Sequence, residues 1–243
     1  MLLMPTAMAD DTARLAAFTE GRYGEAADLS VSEASADAHA FAARSLLAQA
    51  MSDETYVPPQ SIIEQAEQYA RTALELEPGH VEGRLQLAIA LSLRVRPLSL
   101  GEARRSGFGE EAKDLALSVL EDDPSNPYAH GFMAVWHVEV RRRGGTIGAS
   151  ILGASVKKGR KHYEAAIAAS PHDASIHWQY ARALASLNAK KYRAEINDAL
   201  LAALGCGAES QLEALMQARA QMLNQAIASE PRKTVEALAT KML

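Results

Sequence analysis

Three prolines set the frame for this chain. Pro78, Pro124 and Pro171 each sit where a run of helical apolar spacing has just ended. A proline cannot continue a helix, because it lacks an N–H and its ring clashes with the preceding turn. The segments before the prolines are alike: AEQYARTALELEPGH, AKDLALSVLEDDPSN and GRKHYEAAIAASPHD. Each carries small residues at helical spacing, an apolar pair, then the proline and a polar link. The segments after them are alike too: VEGRLQLAIALSL, PYAHGFMAVWHVEV and ASIHWQYARALASL. A chain that repeats a helix, a break and a helix has its architecture set by the repeat rather than by any single motif.

The small residues have a physical purpose. Two helices that cross closely need small side chains at the crossing. Ala66, Ala70 and Ala73 supply them in the first unit, Ala112, Ala116 and Val119 in the second, and Gly159, Tyr163 and Ala166 take those places in the third. The following helices carry large-small pairs, Leu87-Ala88, Met133-Ala134 and Tyr180-Ala181. Over roughly residues 12 to 204 this pattern resembles the tetratricopeptide repeat. The resemblance implies an all-α fold, a right-handed α-solenoid of stacked antiparallel helix pairs. Composition agrees: apolar residues are 48% with few aromatics. Alanine and leucine at such density favour helix, and no strand-like alternation of any length occurs.

The spacing departs from the plain repeat of 34 residues. Pro78 to Pro124 is 46 residues and Pro124 to Pro171 is 47. Inserts near 94–108 and 141–158 account for the excess, and in a stacked array they would lie side by side at one edge. With the phrases AHGFMAVWHVEVRRRGG and GASILGASV, this layout resembles the regulator-of-microtubule-dynamics-like proteins and the tetratricopeptide component of tripartite periplasmic transporters. In that subset the inserts shape a pocket or pore, and some members handle lipid or other apolar ligands.

The chain in order gives a terminal segment over 1–10, the repeat array over 11–204 and capping helices over 205–243. Ala7-Met8-Ala9 before two acids resembles the end of a secretory signal. The run Leu2-Leu3-Met4 is far too short to be the whole of one. The segment is either the end of a longer leader, which would make the protein exported or periplasmic, or an ordinary terminus of a cytoplasmic protein. Gly21, Tyr23 and Ala26 mark a degenerate first repeat, and Ala36 to Met51 reads as a helix. Pro58 and Pro59 break the chain, Ser61 can cap, and a helix follows from Ile62 to Glu77. Beyond Pro171, helices are expected over Ile176 to Leu187, Tyr192 to Leu204, Leu212 to Ile227 and Thr234 to Leu243, with Gly205 and Gly207 as stop signals.

One face of each first helix would line the concave side of the array. The resemblance places Leu85 and Ile89 there, then Tyr128, Gly131 and Val135, then Trp178 and Arg182. Grooves of this family that clamp a terminal carboxylate use Lys, Asn and Arg. This set is mostly apolar, which suits an amphipathic helix, an acyl chain or the protein's own insert. Trp178 and Val135 read equally as core.

Charge is unevenly placed. Residues 1–93 carry 14 acids against 5 bases, residues 94–161 carry 8 against 12, and the remainder carries 8 of each. The bases of the middle segment gather in the inserts: Arg94, Arg96, Arg104 and Arg105 in the first; Arg141, Arg142, Arg143, Lys157, Lys158, Arg160 and Lys161 in and beside the second. This basic rim either meets anionic headgroups or an acidic partner, or keeps the inserts soluble. A net charge of −5 argues against general nucleic-acid binding. No apolar run reaches the length that spans a bilayer.

No catalytic or cofactor pattern stands out. Gly144, Gly145, Gly148 and Gly153 lack the Gly-Lys-Ser/Thr of a phosphate loop. His130 and His137 share a helix face, as two metal ligands would, but no third ligand follows at a fitting spacing. His172 and His177 fare no better. Cys206 is a lone cysteine and reads as a small buried hydrophobe. The expectation is a non-enzyme without metal or cofactor: a scaffold that binds a protein or peptide in its groove, or an exported carrier for a lipid or other apolar ligand.

Overall fold

The computed structural model describes residues 6–242, with side chains from Thr12 onward. The described residues form thirteen helices and no strand. The chain is all-α. Leu2-Leu3-Met4 lies outside the described residues, and Ala7-Met8-Ala9 lies within the first helix, where the backbone alone is described. The chain divides into two compact units: residues 1–115 with 210–212, and residues 116–209 with 213–243.

The first unit holds α1 (Thr6–Thr19), α2 (Tyr23–Ser30), α3 (Ala36–Met51), α4 (Gln60–Leu76), α5 (Val81–Val95), α6 (Leu100–Ser106) and the start of α7 (Phe108–Asp122). Each of α1 to α4 packs on the next, α4 also on α5, and α3 also on α5. Its aromatic cluster is at the beginning, where the Phe18 ring meets Tyr23 edge-on at 5.4 Å and lies 5.6 Å from Phe41. The Arg44 guanidinium covers Phe41 at 4.5 Å, a cation–π contact. Ala66, Ala70 and Ala73 are fully buried on α4. The expected cap at Ser61 is not formed. Pro59 is the N-cap residue without a side-chain bond, and Ser61 lies inside α4, because a proline pre-sets the φ of a helix start.

The second unit holds the rest of α7, α8 (Pro127–Ile151), α9 (Val156–Ala169), α10 (Ala174–Asn188), α11 (Arg193–Gly205), most of α12 (Gln211–Ser229) and α13 (Arg232–Lys241). α8 packs on α9 and α10, and α10 also on α9, α11 and α13. Gly159 marks a close approach of α8 and α9. A Cβ there would sit 2.9 Å from the Ala134 carbonyl oxygen, so only glycine fits without displacement. Gly205 and Gly207 end α11 without adopting positive φ. The stop there is made by α12, whose Gln217 amide donates to the carbonyls of Cys206 (2.6 Å) and Ala203 (3.3 Å).

The three prolines belong to a fuller punctuation than helix ending alone. Two residues after each one stands an N-cap: His80, Asn126 and Asp173 accept from the backbone N–H of Gly83, Ala129 and Ile176. Six residues after each one stands a donor that ties the new helix to the turn. Arg84 donates to the Gly79 carbonyl at 2.8 Å, His130 to the Pro124 carbonyl at 3.0 Å and His177 to the Pro171 carbonyl at 3.0 Å. Each turn thereby satisfies the polar groups that a break between helices exposes.

Both inserts are helical. α5 ends at Val95, and a capping box of Ser99 and Glu102 starts α6, which Gly107 ends in the left-handed region at φ 71°. In the second insert α8 runs on past Val140 and breaks at Gly145 (φ 63°, ψ −159°) before a further short turn of helix to Ile151.

Candidate functional site

The face expected to line a groove is divided in its accessibility. On α8, Tyr128 is 55% exposed, and Gly131 and Val135 are partly exposed. On α10, Trp178 is 0% exposed and Arg182 is buried with it. These two side chains are interior and line no open surface. In the first unit Leu85 is buried and Ile89 half-buried.

α13 contributes to the burial of the α10 face at Arg182. α13 packs on α10, with Val235 and Ala239 buried. Arg182, one turn beyond Trp178, donates to the Ala239 carbonyl at 3.4 Å and pairs with Glu139 of α8 at 3.3 Å. The guanidinium thus lies at the C-terminal end of α13, where orphan carbonyls attract a cation. One turn on from Arg182 plus three residues, Ala189 N–H donates to the Glu236 carboxylate of α13 at 3.2 Å. Burial lowers the Arg182 pKa, and Glu139 offsets part of that. Glu139 also holds Arg142 at 2.7 Å.

The basic rim is only partly available. Arg142 is held by Glu139 and Arg160 by a bidentate pair with Glu195, at 2.9 and 2.7 Å. Arg141 and Arg143 are half-buried, and burial followed by the neighbouring Arg142 lowers the Arg143 pKa. Lys157, Lys158 and Lys161 are exposed, with Lys158 Nζ donating to the Gly153 carbonyl at 2.8 Å. In the first insert Arg104 and Arg105 are exposed, while Arg94 is taken up by Glu67 and Glu64 of α4 and lies 4.8 Å above the Phe108 ring. A depression of about 480 Å³ on this side of α4 is walled by Glu64, Glu67, Arg71 and Arg94. Its charged lining suits no acyl chain.

Two partly buried polar networks in the second unit lie across helices, where sequence spacing does not reveal them. The Tyr163 and Tyr180 rings stack at 4.0 Å. Tyr163 Oη donates to His177 Nδ1 at 2.7 Å, and Tyr180 Oη donates to Glu195, the carboxylate that also holds Arg160. Burial raises both tyrosine pKa values, and the Glu195 charge raises them further. For Glu195 itself burial acts upward, but the bonds from Arg160 and Tyr180 prevail and lower its pKa. Phenols held in this way stay protonated and supply no phenolate; the network ties α9, α10 and α11 together.

The second network supplies the third histidine that sequence spacing does not show. His162 of α9 lies 2.9 Å, nitrogen to nitrogen, from His130 and 5.5 Å, ring to ring, from His137. With His130 Nε2 donating to Pro124, His130 Nδ1 accepts from His162. His137 is buried, its Nδ1 has no hydrogen-bond partner among the described residues, and its pKa is pushed down to about 4 by burial first and then by His162 and Lys158. Among the described residues no group of three or more His, Cys, Asp or Glu is arranged to hold a metal ion. Cys206 is half-buried, its thiol donating to the Ala202 carbonyl, and burial raises its pKa, the reverse of what activates a nucleophile.

No protein-family model matches this chain, and no curated protein matches it. Among the described residues no helix is long and apolar enough to cross a membrane.

Proposed function

We propose that this chain is a non-catalytic helical scaffold of the tetratricopeptide kind, built of antiparallel helix pairs, and that the open face of α8 receives an amphipathic helix from a protein partner. Three features support the architecture: the proline, cap and tie that recur at the same offsets, the buried alanines of α4, and the Gly159 crossing on Ala134.

The observation that carries the binding reading is α13. By the Met133-Ala134 and Tyr180-Ala181 pairs, Gly131 and Val135 on α8 correspond to Trp178 and Arg182 on α10. On α10 a short helix with buried Val235 and Ala239 already packs at the Arg182 end of that face. The chain therefore displays the class of ligand that such a face accepts, namely a helix with small and branched apolar residues one turn apart. The corresponding face on α8 presents Tyr128, a large side chain with an apolar body and a polar tip, of the type that anchors interfaces.

The test is site-specific photo-crosslinking in cells that make the protein. A benzophenone side chain is placed at Tyr128, at Val135, or at Leu201, which is exposed elsewhere in the same unit. The expected result is one shared adduct from positions 128 and 135 and none from 201. No adduct at the first two positions, or the same adduct from all three, overturns the assignment.

A further inference from the structure

The second insert is built inside out. Residues 141–161, RRRGGTIGASILGASVKKGRK, carry seven cations and no acid in a chain of net charge −5. Within it, the break at Gly145 redirects the last turn of α8. Ala149 is 3% exposed and packs with Ala154, Met133, Trp136 and Ala116. Ile147 and Ile151 are 79% and 69% exposed. Each is two residues from Ala149, about 200° round the helix, and the two are four apart, so they share the outward face. Folding driven only by burial would place isoleucine inward and alanine outward. An exposed branched pair held outward by a buried alanine points to an external apolar medium.

The neighbouring charge says which medium. Arg142 and Arg160 are neutralised by Glu139 and Glu195. Lys157 and Lys158 follow the exposed pair within a few residues, are exposed, and Lys158 folds back onto the segment through the Gly153 carbonyl. One turn of helix is too small for a stable protein interface, which buries on the order of 1,000 Å² or more. It is enough to enter the boundary between headgroups and acyl chains, where lysines beside it gain from an anionic leaflet.

We propose that the Ile147/Ile151 turn, with Lys157 and Lys158, docks this protein reversibly on an anionic lipid surface. The proposal is independent of the partner face at Tyr128. The test is co-sedimentation of the full chain with vesicles of phosphatidylcholine alone or with roughly one third phosphatidylserine. Binding is expected only with phosphatidylserine and is expected to fall as salt rises. Ile147→Ser with Ile151→Ser should weaken it about tenfold or more, and Lys157→Glu with Lys158→Glu should do the same. Both isoleucines are exposed, so the melting temperature of the serine variant should stay at the wild-type value. Equal binding to both vesicles, or a serine variant that binds like wild type, overturns the proposal. So does binding to soluble polyglutamate that is as tight as to vesicles and indifferent to the serine changes, which would assign the lysines to an acidic polymer.

Discussion

α8 and α10 start from the same sequence pattern and end with opposite surfaces. Both follow a Pro-x-cap turn, both are tied to it by a histidine six residues after the proline, and both carry a large-small pair at matching places. Yet Trp178 and Arg182 are sealed, whereas their counterparts Gly131 and Val135 are partly exposed and Tyr128 beside them is open. Part of the difference comes from outside either helix: α13 returns onto α10 and reaches Arg182. A position in a repeat therefore specifies which way a side chain points but not whether anything covers it. Arg182 makes the same point. As a groove residue it would greet a ligand; as found it joins α10 to Glu139 of α8 and to the last turn of α13.

The comparison breaks most visibly under truncation. Trp178→Ala should cost about 4 kcal/mol, because it empties a large fully enclosed site. Tyr128→Ala should change stability by roughly 0.5 kcal/mol or less, as exposed substitutions do. Urea unfolding of the two variants reads both numbers. Similar losses for the two would erase the distinction between the faces. It also follows that loss of partner capture by a Trp178 variant reports damage to the core rather than to a contact.

Acid sharpens the contrast between the two sides of α8 itself. Its covered side holds His137, neutral and with a pKa near 4. An unfolded histidine takes up a proton near pH 6.5 that the folded one refuses until about pH 4. Stability is therefore full above pH 6.5 and falls as the pH drops toward 4, then levels off. The loss is on the order of 3 kcal/mol for this group. His137→Gln should flatten the curve of stability against pH across that window. An unchanged slope would mean that His137 is not the proton acceptor.

Much of the fold was legible because it is local. The helix expected over Ala36 to Met51 is α3 as found, and the alanines assigned to crossings are the buried ones. The three prolines are plain in the sequence, but the caps His80, Asn126 and Asp173 and the ties Arg84, His130 and His177 vary in residue type, which hides the common offsets until the turns are seen. What sequence spacing misses is what comes from elsewhere. His162 reaches His130 from α9, Glu195 reaches Tyr180 from α11, and α13 closes a face that the first helices alone would leave open. The glycines of the second insert fit a loop or a close helix contact equally, and their spacing does not decide between them. α8 continues to Gly144, and a single glycine of positive φ at 145 makes the break.

The central claim is that one first-helix face is open while its counterpart is closed by the chain's own last helix. Hydroxyl-radical footprinting of the intact chain and of a chain ending at Glu230 tests it directly. The account predicts that Tyr128 oxidises readily in both, and that Trp178 is protected in the intact chain and becomes reactive once α13 is gone, with the helical circular dichroism of the remainder retained. A reactive Trp178 in the intact chain, or a protected Tyr128, would contradict it.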